Sequence, residues 1–445
     1  MKTILVLGAG RSSSSLIDYL LKNAPTYDWQ IVVGDISART ALERVRSSRY
    51  GHAIRFDIRE DSTSSANIES ADIVISLLPA HFHPLVAKKC LEFKKHFLNA
   101  SYVSDEINAL HSHALANDLL FLNECGLDPG IDHMSVMRVV DKIKNAGGIL
   151  TSLESFTGGL IAPDTDPDNP WRYKFTWNPR NVIMAGQGTA KFLMDGQYKY
   201  VPYQQLYRRT TPVSVLGTLY EGYPNRDSLK YLTTYGLQEL KTIVRGTLRH
   251  AGYCSAWNIF VQLGCCDDTY KMDGVDQMTH RDFLNSFLDS SATLTLEEKL
   301  YKDFNLTPDS GEIQRLRWSG LFSTETIGLS EGTPAQLLEH ILNKRWKLAK
   351  GDKDLIVMWH RFGYQIAGQR KSFISHLTVA GENEIETAMA RTVGLPLGIA
   401  AKLLLEGKIK QRGVIIPTAK EIYDPLLAEL NAFGISLIED EVHPL

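Results

Sequence analysis

The 445-residue sequence predicts an α/β protein in which a doubly wound parallel sheet is combined with a second domain of the α+β class. Short apolar runs alternate with helical patterns as far as Leu122, which is typical of parallel strands covered by helices on both faces. Strand-like alternation then appears at 148–159, and the pattern becomes mostly helical from Val244 to about Ala349. The early alternation predicts the parallel sheet, and the later change predicts the second domain.

The parallel sheet begins with a strand at Thr3–Leu7, a loop rich in glycine and serine at Gly8–Ser13, and a helix at Ser14–Asn23. This order is the first half of a βαβ unit. The strands that follow are predicted at Ile31–Val33, Ala53–Phe56, Asp72–Leu78, His96–Asn99 and Leu119–Leu122, with a helix at His83–Phe93. Together with the glycine-containing loop, they indicate a Rossmann-type fold.

The later segments have patterns of their own. Leu160–Arg180 is rich in Pro, Asp, Asn and Trp, and is predicted to be a long loop. Asp354–Tyr364 and Ser372–Val379 are predicted to pair as a hairpin. Glu384–Leu405 is predicted to form two apolar helices, broken at Gly394-Leu395-Pro396. The sequence has no repeats or low-complexity linkers, so we expect the domains to be interleaved.

The composition favours a globular protein with a small-molecule ligand. The formal net charge is -3 and the pI is about 6.5, so the chain lacks the basic field that binds nucleic acid or anionic lipid. No apolar run approaches the roughly 18 residues that span a bilayer, so we expect no membrane partner. The five cysteines are odd in number and scattered, which favours a reducing cytoplasm.

Two histidine pairs, His81 with His83 and His111 with His113, are candidates for metal ligands. Each pair has the spacing His-x-His, but neither has a third ligand at a suitable spacing. The cysteines show no CxxC spacing. We therefore expect no metal site, and we expect these histidines to be ordinary core or surface residues.

The loop Gly8-Ala9-Gly10-Arg11-Ser12-Ser13 is a variant of the G-x-G-x-x-G dinucleotide fingerprint, with Ser13 in place of the third glycine. Gly8 would make the tight turn, and Gly10 would let the backbone approach a pyrophosphate. The helix N-terminus that follows offers free N–H groups to the anion, and Ser12 to Ser15 can add hydroxyl donors. The strand before the loop and the helix after it favour a cofactor site over an unliganded turn.

Three strand ends supply further candidates for contact with the cofactor. Asp35 ends the second strand, where a carboxylate would bind the ribose hydroxyls and repel a 2′-phosphate, so it favours NAD(H). Arg39, four residues later, keeps NADP(H) open because a guanidinium there would meet a 2′-phosphate. Asp57 follows the third strand on the adenine side. The fourth strand ends in Ser76-Leu77-Leu78-Pro79, where the backbone should pass below the nicotinamide half, so Ser76 is a candidate.

The most distinctive segment is Asn123–His133, which directly follows a strand and contains three carboxylates, two glycines, a proline and a histidine. Such a loop at the carboxyl edge of a parallel sheet predicts a ligand site. Tyr102 follows the fifth strand at the same edge, so Tyr102 and Asp128 would place a phenol and a carboxylate near the position of hydride transfer. Asp132 and His133 are expected to open the next helix.

Two clusters of basic residues lie beyond the sheet. Tyr223–Ser228 presents Arg226 from a turn, and Arg245–Arg249 contains two more guanidiniums and a hydroxyl. A guanidinium stays charged and binds a carboxylate through two hydrogen bonds, so these clusters suit an acidic metabolite. Each cluster, taken alone, also fits an ordinary surface ion pair.

Taken together, these motifs resemble the saccharopine dehydrogenase family, specifically its glutamate-forming type. The matching segments span nearly the whole chain in the family's order: Gly8–Ser13, Val74–Pro79, Ala100–Ser104, Asn123–His133, Gly158–Pro163, Tyr173–Trp177, Tyr223–Ser228, Arg245–Arg249 and Arg412–Pro417. The loops at 123–133, 223–228 and 245–249 are much more specific than the loop that resembles the dinucleotide fingerprint.

The resemblance implies a substrate site between a nucleotide domain and a second domain. It implies substrate contacts at Ser101, Tyr102, Asp128, Arg226, Thr247, Leu248 and Arg249, with Asp128 and Tyr102 as the catalytic residues. It implies cofactor contacts at Gly8, Gly10, Arg11, Ser12, Ser13, Asp35, Asp57, Ser76, Ser101, Leu127 and Trp177.

The domain organisation implied by the family is discontinuous. A Rossmann domain is expected from 1–132 and 385–445, a substrate-binding α+β domain from 133–242 and 351–384, and an all-helical insertion at 243–350. Members of the family usually form dimers, so we expect a homodimer.

The sequence departs from the family at two positions. The family often has a cysteine where Thr157 stands, so a mechanism that needs a thiol there does not apply. Fungal members carry an arginine near the position of Asp35, which bears on the expected cofactor.

The activity implied by the family is the NAD(P)-dependent interconversion of saccharopine with L-glutamate and 2-aminoadipate 6-semialdehyde in lysine metabolism. Saccharopine has three carboxylates, which suits Arg226 and Arg249. Asp128 would stabilise a protonated amine or imine, and Tyr102 would orient a hydroxyl or carry a proton. Two alternatives stay open: a related reductive amination of the carboxynorspermidine or lysine-6 type, and a non-catalytic dinucleotide-binding sensor.

Overall fold

The structure is a computed structural model, and it describes residues 1–185, 187–291 and 293–442. The strands are β1 Lys2–Leu7, β2 Trp29–Asp35, β3 Gly51–Arg55, β4 Ile73–Ser76, β5 His96–Asn99, β6 Leu120–Leu122, β7 Ile149–Ile161, β8 Ala190–Met194, β9 Gln197–Val201, β10 Thr211–Val215, β11 Thr218–Pro224, β12 Thr242–His250, β13 Asp354–Ile366, β14 Gln369–Ala380, β15 Gly413–Ile415 and β16 Ile438–Val442.

The α-helices are α1 Ser14–Tyr27, α2 Ala38–Val45, α3 Asp61–Glu69, α4 His83–Glu92, α5 Asp105–Asn108, α6 His111–Ala116, α7 Ile131–Asn145, α8 Pro179–Ile183, α9 Tyr203–Leu206, α10 Lys230–Thr234, α11 Tyr253–Leu263, α12 His280–Asn285, α13 Leu296–Phe304, α14 Gly311–Trp318, α15 Pro334–Trp346, α16 Ala388–Leu405 and α17 Lys420–Ala432. Residues 443–445, which the expected Rossmann domain includes, lie outside the described residues.

Contacts divide the chain into two compact units. The first unit consists of Met1–Gly148 and Ile385–Ile438, and the second consists of Ile149–Glu384 and the chain from Glu439. The first unit therefore extends beyond the expected boundary at 132, because α7 packs against α17. The strand β16 neighbours β14, so the chain after Glu439 belongs with the second unit instead of the first.

The first unit contains a seven-stranded sheet in the order β15-β6-β5-β4-β1-β2-β3. Every neighbouring pair is parallel. Six of these strands follow the order 3-2-1-4-5-6 of dinucleotide-binding folds. Successive strands are therefore added on one side of β1 as far as β3 and on its other side from β4 onward. The central strand β4 is buried along its whole length. This sheet confirms the predicted Rossmann-type class.

The second unit contains a nine-stranded mixed sheet with the main order β10-β11-β12-β7-β13-β14-β16, while β8 pairs with β12 and β9. The pair β12 and β7 is parallel, whereas β11 with β12 and β7 with β13 are antiparallel. The predicted hairpin is confirmed as β13 and β14, which pair from Leu355 with Ala380 to Ile366 with Gln369. The helices α11 to α15 contribute an aromatic core that includes Trp257 and Trp346.

The helical pattern predicted from Val244 is wrong at its start. β12 runs through Thr242–His250, pairs with β7 and β11, and precedes the first helix of this region, α11. Most of its residues are buried, as in a strand covered on both faces. Such a strand lacks the alternation that distinguishes it from a helix in the sequence. The expected insertion at 243–350 thus starts with a strand of the second sheet.

The predicted helix break at Gly394-Leu395-Pro396 is also wrong, because α16 continues through it with Pro396 inside the helix. The glycines instead permit close packing against α1. A Cβ added at Gly394 would lie 2.8 Å from the backbone nitrogen of Leu16, and one at Gly398 would lie 2.6 Å from the Tyr19 ring.

The same helix, α16, has the length and apolar composition of a membrane span. The sequence analysis did not identify it as one long helix because it predicted a break at Gly394-Leu395-Pro396. However, 78% of its 18 residues are buried inside the structure. This burial is typical of the core helix of a globular unit, and the close packing on α1 explains why the helix is apolar.

Candidate active site

The glycine-containing loop joins β1 to α1 through a short 3-10 helix at Arg11–Ser13. Gly8 has a φ of +99°, and a Cβ added there would lie 3.0 Å from the carbonyl carbon of Leu77. A Cβ added at Gly10 would meet no atom within 4 Å, so the space beside this backbone is open. Ser13 is buried and donates a hydrogen bond to the Gly10 carbonyl at 2.8 Å. An open loop before a helix fits a pyrophosphate.

Arg44, which no sequence motif marks, extends from α2 to the same loop. Its Nε donates to the Ala9 carbonyl and its Nη2 donates to the Gly10 carbonyl, both at 3.3 Å. Arg39 pairs instead with Glu43 on the same helix, and its side chain is 87% exposed. Arg44, and not Arg39, therefore contacts the glycine-containing loop from α2.

Asp35 binds the backbone of its own surroundings. Its Oδ2 accepts a hydrogen bond from the Ala9 N–H at 2.9 Å, and its Oδ1 accepts one from the Ser37 N–H at 2.9 Å. Both carboxylate oxygens thus hold the loop and the turn before α2. The carboxylate that was expected to determine the cofactor therefore has a structural role.

The other expected cofactor residues occupy different environments. Hydrogen bonds from Arg59, including one of 2.6 Å from its guanidinium, lower the pKa of Asp57 to about 2. Leu127 is buried, and its carbonyl accepts a hydrogen bond from the Asp132 N–H at 3.1 Å. Trp177, in the second unit, is partly buried and packs against the core of that unit.

Ser76 and Ser101 lie at the ends of neighbouring strands and are joined by one imidazole. The Nδ1 of His83 is 3.0 Å from the Ser76 hydroxyl, and its Nε2 is 2.9 Å from the Ser101 hydroxyl. Burial and, to a smaller extent, the neighbouring His81 lower the pKa of His83 to about 4. The two serine contacts thus account for both ring nitrogens of His83.

The structure brings Tyr102 and Asp128 together. The Tyr102 hydroxyl donates a hydrogen bond to Oδ1 of Asp128 at 2.9 Å. Both side chains are partly exposed, and Tyr102 follows β5 whereas Asp128 lies in the loop after β6. The pair therefore combines a proton donor and a carboxylate at the carboxyl edge of the parallel sheet.

A buried network behind this pair holds the loop. Glu124 accepts a hydrogen bond from the Val103 N–H at 3.0 Å through Oε1, and its Oε2 lies 2.8 Å from Nε2 of His133. Nδ1 of His133 is 3.5 Å from Asp132, whose other oxygen accepts a bond of 2.6 Å from the Gly130 N–H. Asp132 and His133 lie in the first turn of α7, as predicted.

Gly130 makes the return of this loop possible. Its φ is +147°, and a Cβ added there would lie 2.1 Å from the carbonyl oxygen of Gly126. The peptide bond between Asp128 and Pro129 is cis. The two glycines thus have a steric role in the loop, separate from the chemistry of Asp128.

In the second unit, Arg226 follows the end of β11, and Thr247 lies within the neighbouring strand β12. Arg226 is exposed and has a φ of 48°, and its carbonyl accepts a hydrogen bond from the Lys191 N–H at 2.8 Å. Asn225 donates to the Thr247 hydroxyl at 2.9 Å. Thr247 is paired in register with Thr157 on β7. These residues combine a guanidinium with hydroxyl and amide groups.

Arg249 is only 5% exposed and lies among aromatic rings. Its guanidinium carbon is 4.9 Å from the Tyr173 ring centre and 5.2 Å from that of Tyr253. Its Nη1 donates to the Leu248 carbonyl at 2.9 Å, while its Nε has no hydrogen-bond partner in the described part of the chain. A buried donor without a partner suits a ligand acceptor. The Leu248 side chain itself belongs to the core.

Metal ligation finds no support in the described residues. Within residues 1–185, 187–291 and 293–442, no group of three or more His, Cys, Asp or Glu residues is arranged to hold a metal ion. All five cysteines are buried and unpaired as disulfides.

Sequence reasoning missed Arg44, His83 and the contacts of Glu124. Ser76 and His83 are close in sequence, so a serine at a strand end followed by a histidine at the next helix start was a usable signal. The contact of Arg44 with the loop lacks such a signal, because its partners lie 34 and 35 residues away.

Comparison with known families identifies both parts of the chain. The family model described as the saccharopine dehydrogenase NADP binding domain matches residues 4–121. The model described as the saccharopine dehydrogenase C-terminal domain matches residues 126–435. The apo histidine-tagged saccharopine dehydrogenase (L-Glu forming) from Saccharomyces cerevisiae has a TM-score of 0.88 and 32% sequence identity, with coverage of 100% of both chains.

The relatives differ in length. The chain is 35% identical over 444 residues to the mitochondrial alpha-aminoadipic semialdehyde synthase of Bos taurus, and the match covers 98% of this chain but 47% of that relative. The chain thus spans about half the length of this curated relative. It is 32% identical over 449 residues to the saccharopine dehydrogenase (NADP(+), L-glutamate-forming) of Saccharomyces cerevisiae, with 99% of both chains covered.

The predicted preference for NAD(H) is wrong. The matching nucleotide domain is an NADP binding domain, and two full-length relatives, from Saccharomyces cerevisiae and Pyricularia oryzae, carry NADP(+) in their names. That preference was based on the carboxylate of Asp35, and both of its oxygens accept hydrogen bonds from backbone N–H groups of the protein. The fold and the matches across both units show that the chain belongs to the saccharopine dehydrogenase family.

Proposed function

We propose that the protein is an NADP(H)-dependent oxidoreductase that interconverts saccharopine with L-glutamate and 2-aminoadipate 6-semialdehyde in lysine metabolism. The observation that carries this proposal is the Tyr102–Asp128 hydrogen bond at the carboxyl edge of a dinucleotide-binding sheet. The family membership and the relatives of similar length support the same reaction.

The proposed cofactor site uses the loop after β1 and the ends of β2 to β5. Gly8 gives the loop its close approach to the chain after β4, and the open space beside Gly10 admits a pyrophosphate. Ser12 and Ser13 lie at the start of α1, where the N-terminus attracts the anion. Arg44 provides positive charge at this loop and suits a 2′-phosphate. NADPH supplies the hydride when bound.

The reductive reaction begins as the amine of glutamate adds to the aldehyde carbon. Loss of the protonated hydroxyl as water gives a protonated imine, and addition of a hydride to its carbon would give the neutral secondary amine of saccharopine. Asp128 would stabilise positive charge on the imine nitrogen, and Tyr102 would donate a proton to the departing hydroxyl. The oxidative reaction uses the same groups in reverse.

The proposed contacts with the substrate carboxylates come from guanidinium and hydroxyl groups. Arg249 has a buried Nε without a hydrogen-bond partner in the described residues, so its guanidinium has hydrogen-bonding capacity suited to a carboxylate. Arg226 presents an exposed side chain of the same charge. Thr247, in the same unit as both arginines, adds a hydroxyl group. Leu248 would take part through its backbone, because its side chain is fully buried.

The test is to mix the purified protein with saccharopine and either NADP or NAD, and to follow the absorbance of the reduced nicotinamide. We expect reduction with NADP, and we expect glutamate and the semialdehyde as products. Absence of turnover with both dinucleotides would overturn the proposed activity. Turnover of lysine or carboxynorspermidine, without turnover of saccharopine, would assign a related reductive amination.

An Asp128→Asn variant gives this test a control close to the wild type in shape. We expect it to bind NADPH with unchanged affinity but to turn over saccharopine more slowly. Equal turnover by the variant and the wild type would remove Asp128 from the mechanism. The expected homodimer and the cytoplasmic location remain predictions.

A further inference from the structure

His83 occupies an unusual position for a buried histidine. It is the first residue of α4 and is 2% exposed, yet both of its ring nitrogens lie within hydrogen-bond distance of serine hydroxyls. Ser76 is the last residue of β4, and Ser101 lies two residues after the end of β5. One imidazole therefore connects the ends of two neighbouring parallel strands at the edge where the cofactor is proposed to bind.

The surroundings of His83 favour a neutral ring. Removal from water disfavours the charged imidazolium, and the start of a helix disfavours a positive charge as well. The hydrogen-bond partners of both nitrogens are hydroxyls, so no carboxylate in these contacts compensates a charge. A neutral imidazole has one donor nitrogen and one acceptor nitrogen, so the two serines must have opposite roles.

The direction of the two hydrogen bonds follows from Ser76. Its side chain is 1% exposed, and in the described residues its hydroxyl has His83 as its hydrogen-bond partner. Its proton is satisfied if it donates to Nδ1, whereas the opposite direction would leave that proton without an acceptor. His83 then carries its own proton on Nε2 and donates it to the oxygen of Ser101.

Ser101 consequently keeps its own hydroxyl proton for another acceptor. Its backbone is already fixed, because its N–H donates to Asn99 at 2.8 Å and its carbonyl accepts from the Glu124 N–H at 3.1 Å. The side chain is half-buried, and in the described residues its hydroxyl contacts only His83. Fixing the oxygen through Nε2 thus leaves an oriented O–H donor.

We infer that His83 is a positioning residue that directs the Ser101 hydroxyl toward an oxygen acceptor on the bound ligand. The acceptor would be the carboxamide oxygen of the dinucleotide or a carboxylate oxygen of the amino-acid substrate. This inference rests on the proposed function and assigns His83 a role in it. His83 acts through Ser101 and does not itself contact the reacting atoms.

Two substitutions at the same position separate the two contacts. His83→Gln places an amide near the former Nε2 and retains a donor for Ser101, whereas His83→Asn has a shorter amide near the former Nδ1. We expect His83→Asn to weaken NADPH binding or raise the KM for saccharopine about tenfold, as loss of one oriented hydrogen bond would do. We expect His83→Gln to stay within about twofold of the wild type.

The ligand that receives the hydrogen bond is identified by the parameter that changes. Titration of NADPH by nicotinamide fluorescence requires no turnover, so it reports on the dinucleotide even if saccharopine is not a substrate. A weaker NADPH affinity assigns the acceptor to the dinucleotide, and a higher KM for saccharopine with unchanged NADPH affinity assigns it to the substrate. Wild-type values for both parameters in His83→Asn would overturn the inference.

A double-mutant cycle with Ser101→Ala distinguishes positioning from a purely structural role. If His83 acts through Ser101, the His83→Asn change has no further effect on the ligand parameter once Ser101 has been replaced. Additive losses would contradict the inference, as would a loss of thermal stability alone. Should His83→Asn not fold, Ser76→Ala replaces it in the same cycle. It would weaken the same parameter about threefold with Ser101 present and have no effect without it.

Discussion

The Tyr102 hydroxyl donates to the Asp128 carboxylate at 2.9 Å, although the two residues are 26 positions apart. This contact links the end of one strand to the loop after the next. The carboxylate is therefore oriented by a group that can itself exchange a proton, and each residue would affect the other's contribution to catalysis.

Replacement of either member of this pair should slow the reaction without abolishing it. We expect Asp128→Asn to lower kcat about 100-fold and Tyr102→Phe about tenfold, because an imine forms without one obligatory base. The double variant should lose less than the product of the two effects, since the residues share one hydrogen bond. Steady-state rates of saccharopine oxidation measure this, and fully multiplicative losses would contradict the coupling.

Arg44 should influence the recognition of the phosphorylated dinucleotide. We expect Arg44→Ala to raise the KM for NADPH about tenfold while changing that for NADH less than threefold, because only NADPH has the additional phosphate. Arg39→Ala is the matched control, since that side chain is 87% exposed and pairs with Glu43. Kinetics with both dinucleotides provide the comparison. Equal effects of Arg44→Ala on NADPH and NADH would exclude phosphate recognition.

Gly10→Ala should separate cofactor binding from stability. The backbone at Gly10 has a φ of -71°, and an added Cβ would meet no protein atom within 4 Å. We therefore expect an unchanged melting temperature but at least about tenfold weaker NADPH binding, because the methyl group would occupy the approach of the pyrophosphate. Gly8→Ala should lose stability too, since Gly8 has a φ of +99° and lies close to Leu77. Unchanged NADPH affinity in Gly10→Ala would place the pyrophosphate elsewhere.

His96 should make the fold less stable as the pH falls. Burial and the nearby Arg412 lower the pKa of His96 to about 4, and its Nδ1 accepts a hydrogen bond from the Leu120 N–H at 3.0 Å. The unfolded chain, with a pKa of about 6.5, binds the proton first. The stabilising contribution is therefore complete above about pH 6.5 and is lost as the pH falls toward 4.

His96→Asn provides the measurement, because its side-chain oxygen is an acceptor that does not titrate. We expect the free energy of unfolding of the variant to fall less between pH 7 and 5 than that of the wild type. The difference should be on the order of 1 kcal/mol after allowance for partial exposure. His83 and His250 have pKa values lowered to about 4 as well, so the difference between variant and wild type isolates His96. Parallel stability curves for the two proteins would contradict the assignment.

The sequence was sufficient for the parallel sheet because its short buried strands are separated by helices with a clear period. It failed at β12 because a strand buried on both faces and a buried helix have similar apolar content. It also failed at α16, where Gly394 and Pro396 suggested a break, but close packing on α1 explains the glycine.

Within the site, strand order was enough to bring Tyr102 and Asp128 to one edge, since both follow neighbouring parallel strands. The role of Asp35 was not accessible in this way. Its two backbone contacts depend on the path of the loop, and an acidic residue at a strand end looks the same whether it faces a ribose or an N–H group. The same limitation concealed Arg44 and the serine contacts of His83.

The packing of α16 against α1 has a consequence for synthesis and for fragment design. The helix α1, which follows the glycine-containing loop, packs against Gly394 and Gly398, which are made about 380 residues later than their partners Leu16 and Tyr19. A fragment ending at Gly148 would lack α16 and the edge strand β15, and would expose apolar surface on α1. We therefore expect this unit to complete its folding only after its distant second segment has been translated. A single chain that links Met1–Gly148 directly to Ile385–Ile438 should fold independently.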